Sequence, residues 1–203
     1  PHVYNVVTMK GQHLPMVFEL LINPYDSEEN ASKAEAEFAN VRIPAYTGSG
    51  WYGYSYKTHL TGAQNWFSNI NAPKKLMLGG PAHIERPFHS LHHEMLRWFD
   101  HWLKGIDTGM MEEAPVKYWV MGANEWREGS DWPLPETQWT KFYLNAENQS
   151  LSPDKNISEK IFSYETMSEG IRFITSPMAE DLEITGPLAA KLRISSDTID
   201  ADL

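Results

Sequence analysis

Apolar positions in the first half of the chain alternate between short continuous runs and helical spacing. VRIPAYTGSGW (41–51) predicts a buried strand that leads into glycines, and KKLMLGG (74–80) predicts a second one. Between them, apolar residues recur every three or four positions: Leu60, Ala63, Trp66, Phe67 and Ile70. A strand, a helix and a strand in this order predict an open α/β sheet.

Two further helices are predicted around this unit. SEENASKAEAEF (27–38) has the composition of a surface helix, with Ser27 as its cap. After ERPFHS (85–90), Pro87 or Ser90 can start a long helix that ends at Gly105. We expect the apolar stripe of this long helix to belong to the core: Leu91, Met95, Trp98, Phe99, Trp102 and Leu103.

The pattern changes after about Glu112 to short alternating runs separated by turns that contain Pro, Gly and Asn. The runs are VKYWVMG, TKFYL, IRFIT and AAKLRISS, and no long helical period remains. This half is predicted to be all-β. The Trp- and Pro-rich stretch EWREGSDWPLPETQW (125–139) is expected to be an ordered connection. We therefore predict an α/β unit at 1–111, followed by an all-β unit at 112–203.

Composition excludes several classes of function. The chain has 27 acidic and 17 basic residues and a net charge of −10, without a Lys/Arg cluster, which argues against nucleic acid as a partner. It has no cysteine, so disulfides, thiolate zinc sites and a cysteine nucleophile are excluded. The longest apolar stretch, Met16 to Ile22, contains Glu19 and is far shorter than the roughly 20 residues of a membrane span. Composition does not indicate a compartment.

Five of the eight histidines lie between Leu76 and Gly105: His83, His89, His92, His93 and His101. His89 and His93 are four residues apart with Glu94 nearby, a spacing that zinc ligands also use. The order is not His-Glu-x-x-His, however, and a solvated or salt-bridged helix face is the other interpretation. We favour the helix face, and predict neither a metal nor a cofactor.

His83 differs from the other four in its position. It follows an apolar strand that ends in two glycines, and open α/β sheets place catalytic groups at the carboxyl ends of their strands. Two interpretations remain open, a catalytic residue and a histidine that orders the loop through its hydrogen bonds.

Several long stretches together resemble a known family. KKLMLGGPAH, EMLRWFDHWLKG, PVKYWVMGANEWR, DWPLP and DLEITGPLAAKLRISSDTIDADL resemble, in this order, the C-terminal part of the cocaine-esterase and X-Pro dipeptidyl-peptidase superfamily, the CocE/NonD-type hydrolases. The resemblance spans about Arg42 to Leu203. It implies the C-terminal portion of an α/β-hydrolase domain, with the tail of a helical cap insertion near 1–40, followed by a partial jelly-roll β-sandwich domain.

The resemblance also implies roles for individual residues. His83, in GGPAH, matches the general base of the family's Ser-Asp-His triad, and imidazole titrates in the range that such a base needs. Trp51, Tyr52 and Tyr54 follow the preceding strand and are candidates for substrate binding, with aromatic packing under the loop as the alternative. Gly53 stands where the family has its acid. Either a displaced carboxylate orients the base, or the triad is lost in this subgroup.

Glu85 is the carboxylate nearest to His83 in the sequence, and Asp100 on the following helix is a second candidate for the acid. No G-x-S-x-G elbow is present, since neither Ser49 nor Ser55 has flanking glycines in register. The chain begins at Pro1 and stops after a strand-like alternation, so we expect an excerpt of a longer protein whose nucleophile lies upstream.

The expected function is therefore a portion of a serine esterase or X-Pro dipeptidyl-peptidase that carries the base but lacks the nucleophilic serine. The predicted partners are a small ester or peptide substrate and the upstream part of the same hydrolase domain. A sheet edge left uncovered also makes a homo-oligomer an option. The alternative function is a catalytically inactive relative whose β domain binds carbohydrate or protein. A third hypothesis, metal-assisted hydrolysis, depends on the histidine cluster.

Overall fold

A mixed four-stranded sheet is the main element of the molecule. The computed structural model describes residues 37–51, 58–79, 91–155, 160–165 and 168–198. The sheet consists, in spatial order, of β1 (Ala45–Ser49), β2 (Lys74–Leu78), β3 (Val116–Val120) and β4 (Glu125–Gly129). The first three strands are parallel, whereas β3 and β4 form an antiparallel hairpin. The strands predicted within 41–51 and 74–80 are confirmed.

Two helices accompany the parallel strands. α1 (Thr58–Asn69) lies between β1 and β2 in the chain, and α2 (His92–Lys104) lies between β2 and β3. Both helices were predicted. α2 ends at Gly105, whose φ of 68° is left-handed and favours glycine. Its N-cap is Leu91, without a side-chain cap, whereas Pro87 and Ser90 lie outside the described residues.

The predicted helix at 27–38 lies almost entirely outside the described residues, as does its proposed cap Ser27. Close to the first described residue, the chain forms a short 3-10 helix, Phe38–Asn40. No described helix combines the length and the apolar composition that crossing a membrane requires.

The two helices lie on opposite faces of the sheet. Side chains alternate along a strand, so that Leu76 and Leu78 of β2 face α1, together with their β3 neighbours Val116 and Tyr118. From α1, the buried residues Leu60, Ala63 and Phe67 complete this core. On the other face, Trp98 of α2 packs against Tyr46 of β1 with 5.5 Å between ring centroids. Helices therefore cover both faces of the parallel strands, as in other α/β proteins.

The prediction that the whole apolar stripe of α2 is core is wrong. Trp98 is buried, but Phe99 is 48% exposed and Leu103 is 76% exposed. The reason is that the buried side of α2 also includes Glu94, one turn before Trp98, which faces the sheet. With this side inward, Leu103 lies on the outer side of α2, and Phe99 is only partly covered at the margin of the buried side.

Of the four runs predicted to be strands in the second half, two form strands in the described residues and two do not. β5 (Tyr143–Asn145) and β6 (Ser150–Ser152) form a separate antiparallel pair, which confirms the strand predicted within 140–144. The strands predicted at 171–175 and 189–196 are wrong, because residues 168–198 show a single bridge, from Ile174 to Ser150. An alternating pattern becomes a strand only where a neighbouring strand takes up the backbone hydrogen bonds.

The run VKYWVMG, which the sequence assigned to the all-β half, forms β3 and pairs in parallel with β2. The first sheet therefore continues past position 112. The division into 1–111 and 112–203 stays a prediction.

Candidate functional site

The carboxyl ends of β1 and β2 lie side by side at one edge of the sheet. Ser49 is opposite Leu78 in the parallel register, and the backbone N–H of Gly79 donates to the carbonyl oxygen of Ser49 at 3.0 Å. The segments that follow the two strands therefore leave the sheet at neighbouring positions. His83 is four residues beyond Gly79, and Gly53 is four residues beyond Ser49. Binding and catalytic groups of open α/β sheets occupy this kind of edge.

Four of the five predicted site residues lie outside the described residues: His83, Glu85, Tyr52 and Tyr54. Gly53 also lies outside them. Their proposed roles remain predictions.

Trp51 is the predicted site residue that the structure describes. Its indole Nε1–H donates to the carbonyl oxygen of Trp119 at 2.8 Å, and its ring packs on Trp132 with 6.3 Å between centroids. The β2–β3 pairing ends at Leu78 and Tyr118, so the carbonyl of Trp119 lies just beyond it. Trp51 therefore crosses the end of β2 and packs against the core. Substrate binding by this residue stays a prediction.

Gly79 is in close contact with a second tryptophan. A Cβ added at Gly79 would lie 2.7 Å from Cζ3 of Trp126 on β4, closer than real Cβ contacts. Trp126 is itself held edge-on against Trp119, its cross-strand partner, at 5.4 Å between centroids. The sequence showed Gly79 only as a turn signal. Its contact with Trp126 depends on the β3–β4 pairing, which no local pattern indicates.

Glu94 is buried and salt-bridged in the first turn of α2, where the sequence favoured a solvated or salt-bridged helix face. It is 5% exposed, and its Oε1 accepts a hydrogen bond from Lys117 Nζ on β3 at 3.3 Å. The imidazole of His93 lies 3.8 Å from the same carboxylate oxygen. Lys117 points to the face of the sheet that α2 covers and supplies a partner for the buried carboxylate.

Two further ion pairs involve side chains of α2. Arg97 pairs with Glu113 and also donates to the carbonyl oxygen of Thr108 at 2.9 Å. Lys104 binds Asp100 at 2.6 Å, one turn away. The hydrogen bond from Arg97 lowers the pKa of Glu113.

Lys75, which is buried, and Tyr46, which is half-buried, add polar groups to the same face of the sheet. Lys75 is 4% exposed and donates to the carbonyl oxygen of Ala114 at 3.2 Å. Burial lowers the pKa of Lys75 and raises the pKa of Tyr46. A cavity of about 250 Å³ separates α2 from β1 and β2 beside these residues; Met77, Met95 and Phe99 contribute to its apolar lining.

The described histidines of α2 make ordinary helix-surface contacts. His101 packs edge-on against Trp102 at 4.8 Å, and His92 lies edge-on to His93 at 6.2 Å between centroids. Within the described ranges, no three His, Cys, Asp or Glu side chains are grouped to hold a metal ion. His83 and His89 are outside these ranges.

Comparison with known proteins identifies the family. Residues 108–203 match the X-Pro dipeptidyl-peptidase C-terminal non-catalytic domain. Cocaine esterase from Rhodococcus sp. is 24% identical over 249 aligned positions, which cover 95% of this chain and 43% of the esterase. This chain belongs to the CocE/NonD-type hydrolases. The resemblance inferred from the sequence motifs is thus confirmed.

Other members of the family agree. A protein of Mycobacterium bovis named as a serine esterase is 34% identical over 121 residues, covering 54% of this chain and 18% of that protein. A protein of Bacillus cereus named as an Xaa-Pro dipeptidyl-peptidase is 28% identical over 130 residues, covering 62% of this chain and 22% of its own length. The chain thus spans less than half the length of each of these relatives.

The solved structures show the same fold. A CocE/NonD family hydrolase from Staphylococcus aureus superimposes with a TM-score of 0.62 at 22% identity, covering 69% of this chain and 26% of that chain. A mixed sheet with few helices is consistent with part of such a hydrolase.

Proposed function

We propose that this chain is the portion of a serine hydrolase, of the esterase or X-Pro dipeptidyl-peptidase type, that supplies the general base. The observation that carries the proposal is the bond from Gly79 N–H to the Ser49 carbonyl, because it aligns the ends of β1 and β2. The segments that contain Gly53 and His83 begin at these two ends. With a serine from the upstream part of the same hydrolase domain, the complete site acts on an ester or amide bond.

His83 would accept the proton of the serine hydroxyl and return it to the leaving group. Such a base needs a carboxylate to orient its imidazole, and Gly53 has no side chain that could supply one. We assign this role to Glu85. Asp100 is less suited, because it is paired with Lys104 at 2.6 Å and lies eight residues into α2, about 12 Å along the helix axis.

The remaining parts of the proposal follow the family. Residues 1–111 would complete an α/β-hydrolase domain, and 112–203 would begin a jelly-roll domain. The two helix-covered faces of the first sheet support the former, and the separate β5–β6 pair supports the latter. Trp51, Tyr52 and Tyr54 would line the substrate pocket, next to the segment that carries the base. The proposed mechanism requires no cofactor.

The test uses a protein extended upstream through the nucleophile elbow and a fluorophosphonate probe, which labels activated serines. The extended wild-type protein should be labelled, and His83→Ala should suppress the labelling. Glu85→Gln should slow it by orders of magnitude, whereas Asp100→Asn should not. His92→Ala is the matched control, since His92 is an exposed residue of α2. Absence of labelling in the extended wild-type protein would contradict the proposal.

Gly53 favours one alternative, a relative that has lost the triad and binds carbohydrate or protein through its β domain. In that case the extended protein stays unlabelled, and a panel of oligosaccharides raises the melting temperature by binding the folded β half. Labelling that depends on His83 would exclude this alternative.

A further inference from the structure

We propose that the cavity between α2 and the strands β1 and β2 binds a neutral aromatic molecule that carries an N–H or O–H donor, with Glu94 as the acceptor. The cavity has a volume of about 250 Å³, and its lining comes from α2 on one side and from the sheet on the other. The proposed binding is a property of these described residues and does not depend on hydrolase activity.

The lining of the cavity fits a flat apolar body. Tyr46 of β1 and Trp98 of α2 contribute two aromatic rings, with 5.5 Å between their centroids and an angle of 58° between their planes. Met77 and Met95 add flexible thioether side chains, which adapt to a bound ring and make favourable contacts between sulfur and aromatic atoms. An engineered apolar cavity of about 150 Å³ binds benzene. The larger cavity described here therefore has room for two fused rings.

Glu94 gives the cavity a hydrogen-bond acceptor. It lines the cavity and is 5% exposed. Among the described residues, its carboxylate contacts Lys117 at 3.3 Å and His93 at 3.8 Å, and both contacts are made by Oε1. A carboxylate can accept about four hydrogen bonds, so Oε2 keeps its capacity for a further donor. An N–H or O–H group of a ligand would supply that donor, and a hydrogen bond to a charged group is stronger than one between neutral groups.

The ligand is expected to be neutral, because the described charges around the cavity are balanced. Three basic and three acidic side chains interact here: Lys75, Arg97 and Lys117 with Glu94, Glu113 and Glu128. A cationic ligand would compete with Lys117 for the carboxylate of Glu94, and an anionic ligand would be repelled by that carboxylate. A ligand of either charge would also lose its water without gaining an unpaired partner. A neutral donor avoids both penalties.

The experiment titrates indole, a neutral two-ring molecule with an N–H donor, into the protein extended upstream through the nucleophile elbow. Saturable binding is expected, with a dissociation constant of about 1 mM or lower for a ligand of this size. N-methylindole has the same rings without the donor, and it should bind about tenfold more weakly because the hydrogen bond to Glu94 is lost. Tryptophol and tryptamine are matched in size but neutral and cationic, and tryptophol should bind more tightly.

The methyl groups of methionine locate the bound ring. In protein labelled isotopically at these groups, indole should shift the NMR signals of Met77 and Met95, which line the cavity. The signal of Met121 should stay in place, because this residue lies in the turn between β3 and β4 and is 47% exposed. This measurement uses the wild-type protein and therefore does not depend on whether a variant folds.

Two sets of variants test the site further. Met95→Trp should fill the cavity and weaken indole binding about tenfold or more, whereas the matched control Met121→Trp should bind indole as the wild type does. Glu94→Met and Lys117→Met are combined in one protein, because a buried charge left without its partner would destabilise the fold. In this double variant indole should bind no more tightly than N-methylindole. Melting temperatures establish that each variant is folded.

Each outcome decides one part of the proposal. The site is refuted if indole shows no saturable binding, or if it binds while the signals of Met77 and Met95 stay unchanged. Equal binding of indole and N-methylindole by the wild type refutes the role of Glu94, and tighter binding of tryptamine than of tryptophol refutes the neutral class of ligand. Fluorophosphonate labelling is a separate readout, so a protein that binds indole but is never labelled would contradict the proposed function and leave the binding site in place.

Discussion

The indole of Trp51 donates a 2.8 Å hydrogen bond to the backbone carbonyl of Trp119, 68 residues later in the chain. This hydrogen bond connects Trp51, two residues after the end of β1, to β3, and it passes across the end of β2. Trp51 also packs against Trp132 in the core on the α1 side. The exit of β1 is therefore anchored to a strand with which β1 does not itself pair.

Replacing Trp51 with phenylalanine keeps an aromatic ring but removes the donor. We expect the free energy of unfolding to fall by about 1 kcal/mol from the lost hydrogen bond, plus a packing loss of similar size. Urea unfolding measures the change. Trp139→Phe is the control and should stay within about 0.5 kcal/mol of wild type, because Trp139 is exposed. Equal effects of the two substitutions would contradict the anchoring role.

Leu78→Ala and Leu103→Ala compare a buried leucine with an exposed one. Leu78 of β2 is fully buried on the face of the sheet that α1 covers, so its truncation should lower the free energy of unfolding by about 2–5 kcal/mol. Leu103 is 76% exposed, and its truncation should change stability by about 0.5 kcal/mol or less. Thermal and urea unfolding of the two variants report the difference. A large loss at Leu103 would mean that a partner covers the outer side of α2.

Gly62→Ala and Gly105→Ala should have opposite signs. Gly62 lies inside α1 with open space where a Cβ would lie, so alanine should stabilise the protein by up to about 1 kcal/mol. Gly105 ends α2 with a φ of 68°, where alanine is strained, and the substitution should cost about 1 kcal/mol. Melting temperatures in one buffer decide the signs. Two changes of the same sign would contradict the backbone conformations described for these glycines.

Glu113 should contribute a pH-dependent part of the stability. Its hydrogen bond with Arg97 lowers its pKa in the folded protein below the ordinary value of 4.5. The stabilisation is therefore complete above the unfolded-state pKa and is lost as the pH falls through the lower, folded-state pKa. The stability difference between wild type and Glu113→Gln should be constant near neutral pH and shrink below about pH 5. Urea unfolding over this range tests it, and a stability difference that does not change below about pH 5 would contradict the contribution of the Arg97–Glu113 pair.

Local pattern was sufficient for much of the fold. The spacing of Leu60, Ala63 and Phe67 predicted α1, the run KKLML predicted β2, and Gly105 predicted the end of α2. These elements depend on neighbouring residues, which the sequence displays directly. The alternating runs at 171–175 and 189–196 did not form strands, because a strand also needs a partner strand, whose presence no local pattern reports.

The sequence by itself determined the family, through long motifs in a fixed order, and the resemblance to that family selected His83, which follows β2, as the candidate base. Tertiary structure alone decided which face of the sheet each helix covers. β1, β2 and β3 are neighbours in this order, so two right-handed β-α-β connections would place both helices on the same face of the sheet. In this structure α1 and α2 cover opposite faces. It also decided that Glu94 is buried against Lys117 and that Trp126 covers Gly79. Each of these contacts joins residues more than twenty positions apart, and its energy exists only once the strands have paired.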